Sequence, residues 1–363
     1  MSTQRRIYLD YNATSPLAPA AHTAMTEAMN GLGNPSSIHE EGRRMRSRIA
    51  VARVQVARLA GCPIDQVIFT SGGTEANQLG VLALARLAEA RGRPRVIATT
   101  RIEHPSLRGA VDVLRARGWE VTTLDDPRPL GVAAFAAVNH ELGTIEPYAF
   151  VPGLRDRGVL VHVDAVQATT KLALSTIQAD AIAVSAHKLG GPQGIGALIV
   201  AEGGDQALPL VEAGHQERGR RPGTENTLGI VGFGAAAAAV DLARWPAIVA
   251  LGALLERGLG ALGARIHGAE RERAGGTVNA AFEGALGESI VIALDLAGIS
   301  ASTGAACTSG SIEPSPVLLG LGLPADRARE AVRFSLGRDT TEAEVERVLA
   351  ALPRIVDRAR QHR

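Results

Sequence analysis

AIAVSAHKLGGPQGIGALIV, residues 181–200, opens and closes on apolar runs too short for helices and rich in the Ile, Val and Ala of strands covered on both faces. Between the runs lie Ser185, His187 and Lys188 and a glycine-rich turn. Similar runs recur across residues 66–200: QVIFTS, RVIATT, WEVTTL, AAFAAVN, VLVHVDA, AIAVSAH and GALIV, separated by segments with helical spacing. This alternation predicts a doubly wound α/β domain, a mostly parallel mixed sheet flanked by helices on both faces.

Upstream, residues 41–59 place Met45, Ile49, Ala52, Val56 and Leu59 on one helical face, with Arg43, Arg44, Arg46, Arg48 and Arg53 reading as a solvated face. Beyond residue 240 the rhythm changes to a helix near 245–263, an extended GGTVNAAF, a helix near 288–296, an AVRFSL strand and a closing helix. Thr341 and Glu344 open that last helix in capping-box spacing. The expected division is a large domain over residues 15–250 and a smaller α+β domain built from 1–14 and 251–363.

Composition bounds the function. With 46% hydrophobic residues in 363, the chain can bury a substantial core. Its 38 Lys and Arg against 37 Asp and Glu leave no field that argues for nucleic acid. The start, MSTQRRIYLDYN, lacks a signal-peptide core, and the longest uncharged apolar run, residues 227–240, is too short to span a bilayer, so no membrane role is expected. Two distant cysteines, Cys62 and Cys307, make no disulfide framework and fit a reducing, cytoplasmic compartment.

In open α/β sheets ligands bind beyond the carboxyl ends of the strands, and four such places carry polar residues. QVIFTSGGTEAN ends a strand in Ser71-Gly72-Gly73-Thr74 before a helix, where free backbone N–H groups and the helix dipole favour a phosphate. In VLVHVDAVQ the alternation puts His162 and Asp164 on one face, and a carboxylate at a strand end needs a cationic partner. Lys188 leaves a buried strand, an unusual place for a solvent-seeking lysine unless it serves as a nucleophile toward a carbonyl. His104 follows the RVIATT strand, fixed by Pro105. Singly, each also reads as ordinary structure: a turn, a capping Asp, a surface Lys, a core His. Together they supply what pyridoxal phosphate requires: a phosphate site, a counter-ion for the pyridine nitrogen, an amine for the aldehyde and a ring that stacks. The same histidines with Asp164 leave a metal-dependent hydrolase as a rival from another class, one that leaves Lys188 and the SGGT cradle unexplained; the expectation is no metal.

The motifs LDYNATSP, GNPSSIH, TSGGTEAN, EHPS, VNHELGT, HVDAVQ, SAHKLGGPQGIGAL, ERGRRPGTEN, TGAACTSGS and VRFSLGR occur in that order. In them the chain resembles, nearly end to end, the cysteine desulfurases of the NifS/IscS group, fold-type I pyridoxal-phosphate enzymes of the class V aminotransferase family. The resemblance implies that Lys188 holds the cofactor as a Schiff base, that Asp164 pairs with its ring nitrogen, that Gln167 bonds the ring hydroxyl, and that His104 stacks on the ring and moves protons. It implies that Gly73, Thr74, Ser185 and His187 bind the phosphate, joined by Thr224 from a second subunit of a homodimer. It assigns the substrate carboxylate to Arg333 with Asn139 and Asn34, a task suited to the guanidinium fork.

The resemblance further implies that Cys307 is the nucleophile that takes sulfur from L-cysteine as a persulfide, leaving L-alanine, for an acceptor in iron–sulfur cluster, thio-cofactor or tRNA biosynthesis whose identity the sequence does not disclose. Residues 301–312 hold no Lys, Arg or His to favour the thiolate, so its activation has to come from tertiary neighbours. Glycines at 304 and 310 suggest a loop able to move. Alternatives within the family are a selenocysteine lyase or a small-amino-acid transaminase. The chain departs from its relatives at His215, where a glycine is usual, and it ends at Arg363, short of the C-terminal extension of scaffold-docking members.

Overall fold

The computed structural model of the chain describes residues 5–146, 150–201, 213–304 and 313–361. In chain order its strands are β1 (Ile7–Tyr8), β2 (Val67–Thr70), β3 (Val96–Thr99), β4 (Glu120–Thr122), β5 (Val132–Ala136), β6 (Leu160–Asp164), β7 (Ala181–Ser185), β8 (Gly196–Val200), β9 (Arg265–His267), β10 (Thr277–Ala281), β11 (Ile299–Ser300) and β12 (Ala331–Ser335). They fall into two compact units: Pro16–Ala137 with Glu146–Val240, and Met1–Ser15 with Val138–Ile145 and Asp241–Arg363. The excursion Val138–Ile145, which the sequence reading leaves in the large domain, thus groups with the smaller unit.

The larger unit is a seven-stranded sheet in the order β2-β8-β7-β6-β5-β3-β4. From β7 through β6, β5 and β3 to β4 every pairing is parallel, while β8 runs antiparallel to both β2 and β7. Every residue of β5, β6, β7 and β8 is buried, as apolar strands sandwiched between helices should be. The helices Gly73–Ala90 and Pro105–Ala116 cover one face, joining Leu84, Leu107 and Leu114 to Ile68 and Ile97 of the sheet. A Cβ at Gly80 would fall 2.4 Å from Nδ1 of His162, so the first of these helices closes onto β6 only with glycine there. On the other face the helices Pro19–Met29, Glu40–Ala60 and Thr227–Ala238 pack together, and Phe69 of β2 meets Phe233 edge-on at 6.3 Å between ring centroids.

One expectation for the helix Glu40–Ala60 is corrected. Arg43, Arg44 and Arg46 are exposed, but Arg53 is not part of a solvated face. Its guanidinium grips Glu217 bidentately at 2.6 and 2.7 Å, donates to the Val67 carbonyl and stacks over Phe69 at 4.6 Å. A single helical face cannot reveal a partner that lies 164 residues away.

The smaller unit holds an antiparallel sheet, β12-β10-β9, and the parallel pair β1-β11, which ties the N-terminal strand into this unit. Phe282, Phe334, Leu9, Leu255 and Leu352 form its core with the helices Trp245–Ala261, Gly287–Leu296 and Glu342–Gln361. The expected capping box closes the start of the last helix: Thr341 N donates to Glu344, and Glu344 N donates to the Thr341 hydroxyl. Among the described residues no single helix is long and apolar enough to cross a membrane.

Candidate active site

The larger unit gathers most of the singled-out residues at the strand ends. Strand β6 delivers Asp164 and β7 delivers Ser185, followed by a single 3-10 turn, Ala186–Lys188, that carries His187 and Lys188. Strand β2 runs through Ser71 and Gly72 into the helix that starts at Gly73, whose first-turn N–H groups have no helical partners. A Cβ on Gly73 would lie 2.8 Å from Cγ2 of Val166 and 3.4 Å from Cβ of Ser185, so the glycine brings this helix start against the end of β7. Thr74 is exposed on the same turn. Glu75 also belongs to this corner, accepting from Ser71 N and from Arg221, which holds its carboxyl below the ordinary range.

Asp164 is nearly buried and accepts two hydrogen bonds, from Val166 N at 2.9 Å and from Asn77 Nδ2 at 2.7 Å. Asn77 also donates to the Ser106 hydroxyl at 2.9 Å and faces His162 Nε2 through its oxygen at 2.9 Å. As alternation requires, His162 and Asp164 look toward the same helix. Burial pushes His162 down to about 3, so it is a neutral core residue. His104 caps the helix Pro105–Ala116, its Nδ1 lying 2.8 Å from the Ser106 hydroxyl and 3.1 Å from Ser106 N. Burial lowers the pKa of His104, Asp164 opposes that shift, and Lys188 and Arg108 reinforce it, so one imidazole senses both key charges. His187 is pushed down to about 4 by burial and by Lys188.

Gln167 is buried, with Oε1 accepting from Nζ of Lys171 at 3.2 Å. A lysine offers only donors, so the amide is oriented with its oxygen toward Lys171. Beside Asp164 sits Glu103, fully buried and pushed up to about 8, chiefly by burial. Asn77, Ser106, Lys171 and Glu103 escaped the sequence reading. Asn77 left a signal, an amide between Ala76 and Gly80 in a buried helical stripe, where a polar group demands partners.

Thr224 is exposed, just before the helix Thr227–Ala238. The segment before it is braced by the Arg53–Glu217 pair, and Glu217 and Arg218 both take positive φ, 48° and 60°. His215 is exposed at the start of that segment. Asn34 is also exposed, its side-chain oxygen taken up by Ser36 N.

Asn139 and Arg333 belong to the smaller unit. The Asn139 oxygen accepts from Glu141 N and Leu142 N, closing the turn of the Val138–Ile145 excursion. Arg333 on β12 is buried, with Nη2 on Asp10 at 2.8 Å and Nη1 on the His140 carbonyl at 3.1 Å; its Nε has no hydrogen-bond partner. Glu141, also buried, accepts from the Ser315 hydroxyl at 2.5 Å, and a Cβ on Gly304 would lie 2.5 Å from the same carboxylate oxygen. One carboxylate therefore touches both Gly304 and Ser315. Cys307 itself lies outside the described residues. Cys62, the other thiol, is half-buried and pushed up to about 11 by burial and by Asp65, which makes it a poor nucleophile.

The larger unit's residues fit pyridoxal phosphate. The Gly73 helix start, Ser185 and His187 offer donors for a phosphate, Asp164 is a buried carboxyl held by two hydrogen bonds, and Lys188 lies within the electrostatic reach of His104 that Asp164 shares. For the rival chemistry, no group of three or more His, Cys, Asp or Glu among the described residues is arranged to hold a metal ion.

Comparison with known proteins agrees with this geometry. The aminotransferase class-V family profile matches residues 7–348. A cysteine desulfurase of Trichormus azollae is 39% identical, over 98% of this chain and 94% of the relative. The cysteine desulfurase IscS of Dictyoglomus turgidum is 35% identical, over 98% and 96%. Among solved structures a NifS-like protein superposes with a TM-score of 0.86 at 30% identity, over 97% of this chain and 99% of the other. A sheet of this topology, an acid–amide–histidine arrangement at its strand ends and kinship over nearly the whole length lead to one conclusion: the chain belongs to the class-V aminotransferase family and, within it, to the cysteine desulfurases.

Proposed function

We propose that the chain converts L-cysteine to L-alanine and takes the released sulfur onto Cys307 as a persulfide. The family is one of pyridoxal-phosphate-dependent enzymes. The observation that carries the reading is the convergence of Lys188, the doubly donated Asp164 carboxylate, and Ser185 against the Gly73 helix start in one set of strand ends.

Lys188 would attach the cofactor, with Asp164 at the ring nitrogen, Gln167 at the ring hydroxyl and His104 on the ring. Gly73, Thr74, Ser185 and His187 would hold its phosphate, with Thr224 of the partner subunit completing the site in a homodimer. When bound, the cofactor supplies an electron sink for charge developing on the substrate carbons. Lys188, partly buried at its turn, and His104, neutral by burial, are suited to exchange protons with the substrate near neutral pH. Arg333 and Asn139, with Asn34, would fix the substrate carboxylate. The Cys307 thiolate attacks the substrate sulfur: an S–S bond forms, the Cβ–S bond breaks, and its electron pair stays with carbon, which gains a proton to become alanine. L-cysteine and a thiol thus give L-alanine and a persulfide, with atoms and electrons balanced. The persulfide then passes to an acceptor in iron–sulfur or thio-cofactor synthesis. Thiol chemistry of this kind suits a reducing compartment such as the cytoplasm.

The test is to load the purified protein with pyridoxal phosphate, add L-cysteine with a reductant, and assay alanine and sulfide. Equal amounts of both are expected, with a persulfide on Cys307 detectable by mass when the reductant is left out. No alanine would refute the function, and undiminished sulfur release by Cys307→Ala would refute the persulfide route in favour of lyase chemistry.

A further inference from the structure

The hydrogen bonds around Asp164 have a fixed polarity. Asn77 presents its Nδ2 to a carboxyl oxygen of Asp164, at 2.7 Å. Its second N–H then goes to the Ser106 oxygen at 2.9 Å, and its carbonyl oxygen faces His162. His162 therefore donates from Nε2, which leaves its Nδ1 unprotonated; that atom is buried with no hydrogen-bond partner, as a bare lone pair in an apolar wall should be. Ser106, having accepted from Asn77, has its own proton left to give, and the atom 2.8 Å away is Nδ1 of His104. The same Nδ1 also faces Ser106 N at 3.1 Å. With two donors directed at it, Nδ1 of His104 carries no proton, and the neutral ring keeps its proton on Nε2.

We propose that Asn77 and Ser106 are positioning residues that link Asp164 to His104, Asn77 fixing the Asp164 carboxyl in place and the Ser106 hydroxyl holding His104 in the neutral form protonated at Nε2. In that form Nε2 is a hydrogen-bond donor, and a second proton can be taken only at Nδ1, the nitrogen that Ser106 faces. The inference rests on the reading of Asp164 and His104 as cofactor-facing groups, but the tautomer it assigns does not. Among the described residues, Asp164, Lys188 and Arg108 are charged groups that act on the His104 ring. Because Asn77 bridges the two, a change at Ser106, which makes no hydrogen bond to Asp164 among those described, should be felt at Asp164.

The experiment uses the full chain, selectively labelled with 15N-histidine and assigned through His104→Asn, before and after loading with pyridoxal phosphate. Ring-nitrogen NMR should show His104 and His162 protonated at Nε2 and bare at Nδ1 near neutral pH. Ser106→Ala should raise the pH at which His104 takes its second proton by about half a unit or more, because a donor to the neutral ring is lost. It should also displace the pH midpoint of the bound cofactor's visible absorbance, and Ser106→Thr, which keeps the hydroxyl, should restore both values. Asn77→Ala should weaken retention of the cofactor roughly tenfold, the usual scale for losing a hydrogen bond to a charged group. A His104 ring protonated at Nδ1 overturns the proposal whether or not the cofactor binds. So does a folded Ser106→Ala protein whose histidine titration and absorbance midpoint both match the parent. Should Asn77→Ala fail to fold, the Ser106 pair decides alone.

Discussion

The strand ends of the larger unit and the polar cluster of the smaller unit are built in opposite ways. In the larger unit each polar group arrives at the end of one strand and is fixed within a few residues or by the adjoining helix: Asp164 by Val166 and Asn77, His104 by Ser106. In the smaller unit the polar groups come from remote stretches. Arg333 meets Asp10 and the carbonyl of His140, and Glu141 meets Ser315 and Gly304. The first arrangement follows from α/β topology, which brings strand termini together. The second exists only once the chain has folded over long separations, so its parts can change with less local constraint.

The strongest way to break the contrast is Lys188→Ala. If Lys188 handles both cofactor and protons as proposed, alanine formation should fall by roughly a thousandfold or more, with little change in thermal midpoint. Amino-acid analysis of the reaction checks this.

A second prediction turns on Glu103. Burial, strengthened by the nearby Asp164 and opposed by the Thr100 hydroxyl, pushes it from 4.5 up to about 8. The unfolded chain sheds this proton near pH 4.5 while the folded chain keeps it, so the folded state binds more protons in between. Its contribution is complete below the lower value and is lost as pH rises toward about 8, on the order of a few kcal/mol in all. Urea denaturation across this range should show that slope, and Glu103→Gln should flatten it.

In the smaller unit, if Arg333 holds the substrate carboxylate, Arg333→Lys should raise KM for L-cysteine by roughly tenfold or more, because an ammonium cannot reproduce a fork already engaged with Asp10 and the His140 carbonyl. The visible spectrum of the bound cofactor should not change, and steady-state kinetics beside that spectrum separate the two units. The smallest effect is expected for Ser315→Ala. Removing a hydroxyl donor from the buried Glu141 carboxylate should cost about 1–3 kcal/mol of stability, read by chemical denaturation, and leave cofactor binding intact.

The same contrast explains what could be read from the chain. All seven strands of the large sheet were legible because apolar runs between helical segments carry their own period. Lys188, Asp164, His104 and Ser185 were legible as residues that follow those runs, and their placement at the strand ends agrees. Arg53 was misread because helical spacing says which face a residue is on, not whether a distant carboxylate will cover that face. Ser106, in the first turn after a proline, carries no signal of its own in the sequence, and only the fold puts Asn77 beside it. The grouping of Val138–Ile145 with the smaller unit was hidden too: it depends on Ile145 N bonding the Glu272 carbonyl and Ala274 N bonding Gly143, far along the sequence.

Glu217 and Arg218, consecutive residues with left-handed backbone, have a bearing on assembly. Non-glycine residues held there cost on the order of 1 kcal/mol or more each, and the segment keeps the shape because Glu217 is locked to Arg53 and to Phe69 N. That cost is borne during folding of the single chain. If Thr224 serves the partner's phosphate site, two copies meet with the segment leading to it already shaped, and association need not supply the entropy of ordering it. Loosening Arg53 would then weaken dimerisation through the shape of the segment that leads to Thr224.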